Sequence, residues 1–331
     1  MEQSKRLGGL QSLRGIAALA VVFQHVTFYV CSAKGIDYAP YLRIDFGQIG
    51  VQTFFVLSGF VMAGCMSQGR AFLWHRALRI YPAFWLAILV TGALLINPVF
   101  GWHLDLRSIF LLPSSELNNS YRIPYWTLVY EVTFYVVTYA IVLTGGKRIA
   151  TGVCITWLAL IVAGSKYLEI QYFSPGALIL LSKWNVYFIA GMLTALNTQS
   201  LRRVPSLALA LAVIAGWSIG DSFSQVGSDL ILALAFSSLV VLATRAPQMK
   251  LAERFGDFSF GIYLLHPPVV VLFLEIIKPR VPGMRLSVLW CVAMAVTLLG
   301  STAFGWIEHT LYGILKKATR PRRLSTIKAA D

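Results

Sequence analysis

Residues 13–25, LRGIAALAVVFQH, decide the fold, because this apolar run begins beside an arginine and ends at a histidine. Arg14 and His25 are eleven residues apart, which on an α-helix is a rise of about 16 Å and leaves them within about 20° of the same face. Such a helix presents a guanidinium near a membrane surface and an imidazole deep in the bilayer. Polar side chains are costly at that depth, so their default interpretation is functional.

The composition extends this interpretation to the whole chain. Of its 331 residues, 57% are hydrophobic and 13% are charged, whereas soluble domains carry charge on about a quarter of their residues. Apolar runs of about 18 to 20 residues recur, which is the length that crosses a bilayer. We therefore predict an all-α polytopic membrane protein with about ten transmembrane helices in one bundle.

The predicted spans are residues 15–33, 47–66, 78–97, 126–144, 150–165, 178–197, 206–220, 228–244, 258–277 and 287–306. The fifth span is one of the two shortest of the ten. The first is interpreted as a retained helix rather than a signal peptide, because no convincing small-residue cleavage site follows it. We divide the chain into a membrane domain, residues 1–315, and a basic cytoplasmic tail, residues 316–331.

The net charge of +14 is distributed as in a membrane protein and does not indicate nucleic-acid binding. With ten spans both termini share one side, and most of the 28 lysine and arginine residues fall in segments on that side. Basic loops mark the cytoplasmic side, so both termini are expected there. The four cysteines are far apart and show no metal-ligand spacing, so no metal site is predicted.

Two further arginines, Arg76 and Arg79, lie three residues apart at the inner end of the third span. That spacing places both on one helical face, where two guanidinium groups can form a fork for phosphate. The alternative is a simple positive anchor at the cytoplasmic surface. Pro82 is expected in the first turn or so of this span, where proline is tolerated.

Glu131 is the acidic candidate. Counted from the outer end of the fourth span it lies about 9 Å deep, within about a helical turn of the depth of His25. A carboxylate there needs a partner, which could be an imidazole, an arginine or a substrate hydroxyl. A purely structural pair is the alternative. Glu308 and His309, after the tenth span, are interpreted as structural residues that pair with a nearby arginine.

His266 is the second histidine at membrane depth, and Tyr263, one turn earlier, shares its face. Pro267 and Pro268 follow directly, and proline removes a backbone donor and disfavours helix in the preceding residue. Broken backbone at membrane depth is tolerated only against protein or a water-filled cavity. The pattern therefore predicts a broken helix beside a cavity, with a simple proline kink as the alternative.

Five segments together carry a resemblance to a known family. In chain order they are LQSLRGIAALAVVFQH (10–25), GVQTFFVLSGFVM (50–62), FLWHRALRIYP (72–82), PYWTLVYEVTFY (124–135) and FGDFSFGIYLLHPP (255–268). This combination resembles the membrane acyltransferase 3 family of carbohydrate O-acyltransferases. It looks most like the exopolysaccharide acetyltransferase branch, since Gln11 and Ser12 stand where the O-antigen branch often has an acidic opening.

The resemblance implies an enzyme of the bacterial inner membrane that moves an acyl group, expected to be acetyl, from acyl-CoA to a hydroxyl. The acceptor would be a cell-surface or exopolysaccharide glycan, or a lipid-linked oligosaccharide. The resemblance also implies that Arg14 and His25 are essential and that Arg76 and Arg79 lie on the CoA side. Acetyl and succinyl donors both fit, as do direct transfer and a covalent acyl-enzyme.

We assign the role of base to His25, with Glu131 orienting the base or the acceptor and with Tyr263 and His266 as supports. Because a thioester is already activated, the chemistry needs positioning, a base and stabilisation of the oxyanion. No bound cofactor or metal is required, and acyl-CoA acts as a substrate. The expected partners are acyl-CoA, the glycan acceptor and membrane lipid, which the basic tail can contact.

A transporter or flippase of a lipid-linked sugar is the alternative function, since intramembrane histidine, glutamate and arginine also suit a substrate or proton path. Transporter folds often have two halves with matching broken helices. This sequence has one predicted proline break, at Pro267, and no counterpart in its first half. A structural scaffold would leave the polar residues at membrane depth unexplained.

Overall fold

The computed structural model describes residues 2–95, 103–114, 122–170, 176–219, 225–247 and 249–319, with side chains from residue 8 onward. Throughout these ranges the regular structure is helical and no strand occurs. The helices are α1 Glu2–Ala33, α2 Phe46–Cys65, α3 Ala71–Leu95, α4 Leu106–Ile109, α5 Trp126–Thr144, α6 Lys147–Tyr167, α7 Trp184–Leu196, α8 Thr198–Leu201, α9 Ser206–Ile219, α10 Gln225–Ala243, α11 Lys250–Ile276 and α12 Leu286–Ala318. Short 3₁₀ helices cover Met66–Gln68, Gly176–Leu181 and Lys278–Gly283.

Each of the ten predicted spans coincides with an apolar helix, which confirms the all-α membrane architecture. Among the described residues, eight helices are long and apolar enough to cross a membrane, namely α1, α2, α3, α5, α6, α10, α11 and α12. The sixth and seventh predicted spans correspond to the shorter helices α7 and α9, of 13 and 14 residues. The fifth span, predicted to be one of the two shortest, is instead the 21-residue helix α6.

Several helices extend past their predicted ends, and two of these extensions, in α3 and α12, change a prediction. Helix α3 begins at Ala71, so Pro82 lies inside the helix and not in its first turn. Helix α12 continues to Ala318 instead of ending near residue 306, so the first residues of the predicted tail are helical. Hydropathy misses both extensions because they are polar or mixed turns beyond the apolar run. The rest of that tail, residues 320–331, lies outside the described residues.

The predicted break in the ninth span is wrong, because α11 runs uninterrupted through Pro267 and Pro268. Both prolines are buried in the bundle. Neighbouring helices commonly stabilise proline-containing helices in membranes, and α11 is packed along α1 on one side and α12 on another. Tertiary packing therefore outweighs the local tendency of proline to end a helix.

Helices α1 and α11 run parallel and touch backbone to backbone. A Cβ atom added to Gly256 would lie 2.0 Å from the carbonyl oxygen of Gln11, so only glycine permits this approach. Beside this contact, Gln11 Nε2 donates to Asp257 Oδ1 at 2.7 Å. The two contacts fix the register of the helices, and the same register places His25 opposite His266.

A second close pair, α2 and α7, organises the other half of the bundle. A Cβ on Gly59 would lie 2.0 Å from the carbonyl oxygen of Phe188. The Phe188 ring stacks on Phe134 of α5, with centroids 3.9 Å apart, and Phe55 of α2 lies edge-on to Phe134 at 5.3 Å. These rings hold α5 against α2 and leave a gap between α1, α2, α3, α5 and α11.

Candidate active site

The gap between these five helices is a cavity of about 120 Å³. Its charged lining consists of three arginines and one glutamate, namely Arg14, Arg76, Arg79 and Glu131. Its neutral polar lining consists of the hydroxyl residues Ser58, Thr127, Tyr135, Ser259 and Tyr263. We call this space the arginine cavity. The structure thus brings together five of the seven site residues predicted from the sequence, four from α1, α3 and α5 and Tyr263 from α11.

The predicted arginine fork is asymmetric. Arg79 Nη1 donates to Glu308 Oε1 at 2.5 Å, and Glu308 is buried, with 1% of its surface exposed. The guanidinium of Arg79 also lies over the Tyr312 ring, 4.9 Å from its centroid. Arg79 is therefore neutralised inside the protein. The expected pairing of Glu308 with a nearby arginine is found because α12 stays helical past residue 306 and turns this carboxylate inward.

Arg14 and Arg76 have no acidic partner within 4 Å in the described part of the chain. Arg14 Nη1 makes a long hydrogen bond of 3.3 Å to Gln11 Oε1. Arg76 Nη2 contacts Cys65 Sγ at 3.7 Å, and its buried Nε has no hydrogen-bond partner. Buried polar groups normally find a partner, so these two guanidinium groups retain donors for an anionic ligand.

Glu131 faces the arginines rather than the histidines. Its Oε1 accepts a hydrogen bond of 2.6 Å from the Tyr135 hydroxyl, and both residues line the arginine cavity. Counting residues along α5 places Glu131 at nearly the depth of His25 in the membrane. Depth alone, however, does not determine which neighbouring helix a side chain faces. The face of α5 is set by the packing of Phe134 on Phe55 and Phe188, and this directs Glu131 towards Arg14 and the arginines of α3.

His25 and His266 form a hydrogen-bonded pair, which we call the histidine pair. His25 Nδ1 lies 2.8 Å from His266 Nε2, and His266 Nδ1 lies 3.1 Å from the carbonyl oxygen of Ile262. A carbonyl oxygen only accepts, so His266 Nδ1 carries the proton, and in the neutral ring its Nε2 is an acceptor. His25 Nδ1 then carries a proton and donates it, which leaves His25 Nε2 with a free lone pair.

Tyr263 stands between the histidine pair and the arginine cavity. Its hydroxyl hydrogen-bonds to Thr127 Oγ1 at 2.7 Å, and its ring centroid is 5.8 Å from that of His266. Tyr263 lines the arginine cavity, while His266 behind it is fully buried. The cavity expected beside His266 is thus found one helical turn away, against Tyr263, and the Tyr263–Thr127 contact separates the two polar centres.

Three residues that contact the predicted ones, Thr127, Tyr135 and Tyr312, were not predicted from the sequence. The i,i+4 spacing of Glu131 and Tyr135 places both on one helical face and could have revealed their contact. Thr127 and Tyr312 carry no comparable signal, because each becomes relevant only through a residue distant in sequence.

Comparison with known proteins agrees with this geometry. Residues 7–306 match the model of a family described as an acyltransferase domain. The exopolysaccharide production protein ExoZ of Rhizobium meliloti (strain 1021) is 28% identical over 300 residues, which cover 80% of this chain and 89% of that protein. Nodulation protein 10 of Rhizobium leguminosarum bv. viciae is 26% identical over 298 residues, which cover 77% of this chain and 80% of that protein. No solved structure matches the chain.

These findings confirm the resemblance carried by the five segments, and the name of the first relative agrees with the exopolysaccharide branch. The matched region contains the arginine cavity and the histidine pair in full. It also covers all or most of each helix that is long enough to span a membrane. The chain therefore belongs to the membrane acyltransferase 3 family and is a multi-pass membrane acyltransferase.

Proposed function

We propose that the protein transfers an acyl group, expected to be acetyl, from acyl-CoA to a hydroxyl of a cell-surface or exopolysaccharide glycan. The relatives named for exopolysaccharide production and nodulation support a glycan acceptor. The single observation that carries the chemistry is the free Nε2 of His25, fixed by the chain of hydrogen bonds from Ile262 through His266.

The donor enters the arginine cavity in this proposal. CoA is a polyanion, and guanidinium groups bind phosphate through several charge-assisted hydrogen bonds. Arg14 and Arg76 keep such donors available, whereas Arg79 is held by Glu308 and shapes the wall. The distribution of basic residues supports a cytoplasmic location for this end of the bundle, with both termini in the cytoplasm and the enzyme in the bacterial inner membrane.

His25 acts as the general base. Its Nε2 takes the proton of the acceptor hydroxyl while the hydroxyl oxygen bonds to the thioester carbonyl carbon. The carbon–sulfur bond then breaks, and the proton passes to the departing sulfur, which leaves as CoA thiol. His266 holds the proton-bearing Nδ1 of His25 and thereby keeps Nε2 directed at the acceptor.

Glu131 belongs to the donor side of the proposal. The Glu131 carboxylate accepts a hydrogen bond from Tyr135 and offsets part of the positive charge of the arginine cavity. The two side chains place polar groups beside the acyl-pantetheine arm of the donor. In this proposal the thioester reaches His25 past Tyr263, so the Tyr263–Thr127 hydrogen bond opens during turnover. Direct transfer and an acyl group carried for a time on His25 Nε2 both follow this path.

The test is the acylation of the surface glycan in the native bacterium. A strain that lacks the gene should lose one acyl substituent, seen by mass spectrometry of the purified polysaccharide. The lost mass distinguishes acetyl from succinyl. Wild-type protein should restore the substituent, and His25→Ala should not. An unchanged glycan profile in the deletion strain would contradict a glycan acceptor.

The transporter alternative rested on the histidine, glutamate and arginine residues at membrane depth. It gains no support from a broken helix at Pro267, because α11 is continuous there. A thermal-shift measurement separates the functions further, because a ligand stabilises the protein that binds it. We expect acyl-CoA to raise the unfolding temperature of the purified enzyme.

A further inference from the structure

A second pocket, of about 330 Å³, lies where the connection between α2 and α3 meets the C-terminal end of α12. We call it the basic pocket. Its lining residues are Gln68, His75, Arg76, Leu78, Tyr312, Lys316 and Thr319. Arg76 lines both this pocket and the arginine cavity, so the two spaces are neighbours that share this residue.

The basic pocket carries uncompensated positive charge. Arg76 and Lys316 contribute two cations, and the pocket lining contains no acidic residue. Lys316 is exposed and forms no salt bridge among the residues that the structure describes. His75 Nδ1 lies 3.0 Å from Gln68 Oε1, an amide oxygen that only accepts. His75 Nδ1 is therefore the donor in that contact.

An aromatic ring accompanies these cations. Tyr312 is partly exposed in the pocket, with Lys316 Nζ 5.9 Å from its ring centroid. The pairing of Arg79 with Glu308 holds this ring in place, because the Arg79 guanidinium lies over the ring, 4.9 Å from its centroid. A fixed aromatic ring beside two cations matches a nucleotide, whose base can stack while its phosphates bind the cations.

The sizes of the two spaces also match the two parts of acyl-CoA. Pockets for small molecules range from about 300 to 1,000 Å³, so the arginine cavity of about 120 Å³ cannot enclose the whole donor. It can hold a narrow acyl-pantetheine arm. The bulky nucleotide then requires a second space joined to the first, and the basic pocket is larger and adjoins it at Arg76.

We propose that the basic pocket binds the 3′-phosphoadenosine diphosphate head of acyl-CoA, with adenine against Tyr312, and phosphates at Lys316 and Arg76. This inference rests on the proposed function in taking acyl-CoA as the donor. Tyr312 and Lys316 lie beyond residue 306, where the family match ends, so this part of the donor site comes from the helical extension of α12.

The experiment uses full-length protein in lipid nanodiscs made without anionic lipid. Calorimetry measures binding of acetyl-CoA, of acetyl-pantetheine and of adenosine 3′,5′-bisphosphate. The variants are Lys316→Gln and Tyr312→Ala, and the matched control is Lys317→Gln, an exposed neighbour that does not line the pocket. Unfolding temperatures without ligand verify that the variants are folded.

We expect Lys316→Gln and Tyr312→Ala each to weaken acetyl-CoA binding about tenfold, the loss of one charge-assisted or stacking contact. Acetyl-pantetheine binding should stay unchanged, and the bisphosphate should compete with acetyl-CoA in the wild type. The control should match the wild type.

Acetyl-CoA affinity that both variants retain in full would overturn the inference. A parallel titration adds vesicles that contain anionic lipid, and a Lys316→Gln variant that loses only this vesicle binding would assign the pocket to lipid headgroups and overturn the inference too. Wild-type protein that binds no acetyl-CoA at all would instead overturn the proposed function.

Discussion

The arginine cavity and the histidine pair share helices α1 and α11 but satisfy their polar groups in opposite ways. In the cavity, Arg14 makes a long hydrogen bond and Arg76 a sulfur contact, the buried Arg76 Nε has no partner, and both residues lack an acidic partner in the described structure. In the histidine pair, every ring nitrogen but one is hydrogen-bonded within the protein. Unfilled donors suit a charged ligand that arrives from outside, whereas a closed hydrogen-bond chain fixes the place of one proton. The difference assigns donor binding to one centre and proton transfer to the other.

The largest expected effect is on the chemistry of the histidine pair. His25→Ala should lower the rate of acyl transfer by about 10² to 10⁴-fold, the range for loss of a general base, with acyl-CoA affinity nearly unchanged. Transfer and binding are measured on purified protein, with the exposed residue His103→Ala as the control. A variant that transfers at the wild-type rate would show that His25 is not the base.

The next effect is on stability at the edge of the arginine cavity. Arg79→Ala leaves the buried Glu308 carboxylate without its partner and should destabilise the fold by about 3 kcal/mol. Adding Glu308→Gln removes the stranded charge and should recover much of that loss. Unfolding in detergent is the measurement. If the double variant is no more stable than Arg79→Ala, the pair is not the cause of the destabilisation.

A smaller effect tests how His266 acts. His266→Ala removes the acceptor for His25 Nδ1–H and should lower kcat about tenfold to a hundredfold, the cost of one unsatisfied buried donor. KM for acyl-CoA should not change. His266→Gln offers an amide oxygen at a similar place and should retain more activity. Equal losses in the two variants would mean that His266 contributes packing and not the orientation of His25.

The smallest effect concerns donor binding alone. Arg76→Ala should raise KM for acyl-CoA about tenfold, through the loss of a charge-assisted contact, and leave kcat within a fewfold of the wild type. Arg148→Ala, an exposed arginine at the start of α6, is the control. A fall in kcat without a rise in KM would mean that Arg76 acts in the chemical step rather than in donor binding. The arginine cavity and the histidine pair would then not have separate roles.

The sequence predicted the helices well because bilayer thickness sets the length of an apolar run. It also predicted that Arg14 and His25 share a face and that His25 and His266 both lie at membrane depth. The depths of both histidines are counted from the same side of the membrane, along the parallel helices α1 and α11. Errors in the two depths therefore cancel. Their contact nevertheless depended on the register that Gly256 and Gln11 impose.

Residues whose position depends on packing were harder to place. Glu131 was counted from the opposite side, and its neighbours follow from aromatic contacts that no local pattern reveals. Glu308 and Tyr312 lie on a turn of α12 beyond the apolar run, where hydropathy ends the span. The break expected at Pro267 reflects a local rule that the packing of α11 overrides.

The contact of Gly256 with Gln11 also has a mechanical consequence. Helices joined backbone to backbone move as one body, and the contact of Gly59 with Phe188 joins α2 to α7 in the same way. Helices α3 and α5 meet α11 and α12 at the cavity through side chains, by the Arg79–Glu308 pair and the Thr127–Tyr263 hydrogen bond. When the arginine cavity widens to admit the donor, the Arg79–Glu308 pair and the Thr127–Tyr263 hydrogen bond are strained first. The histidine pair moves together with α1 and α11 and keeps its geometry.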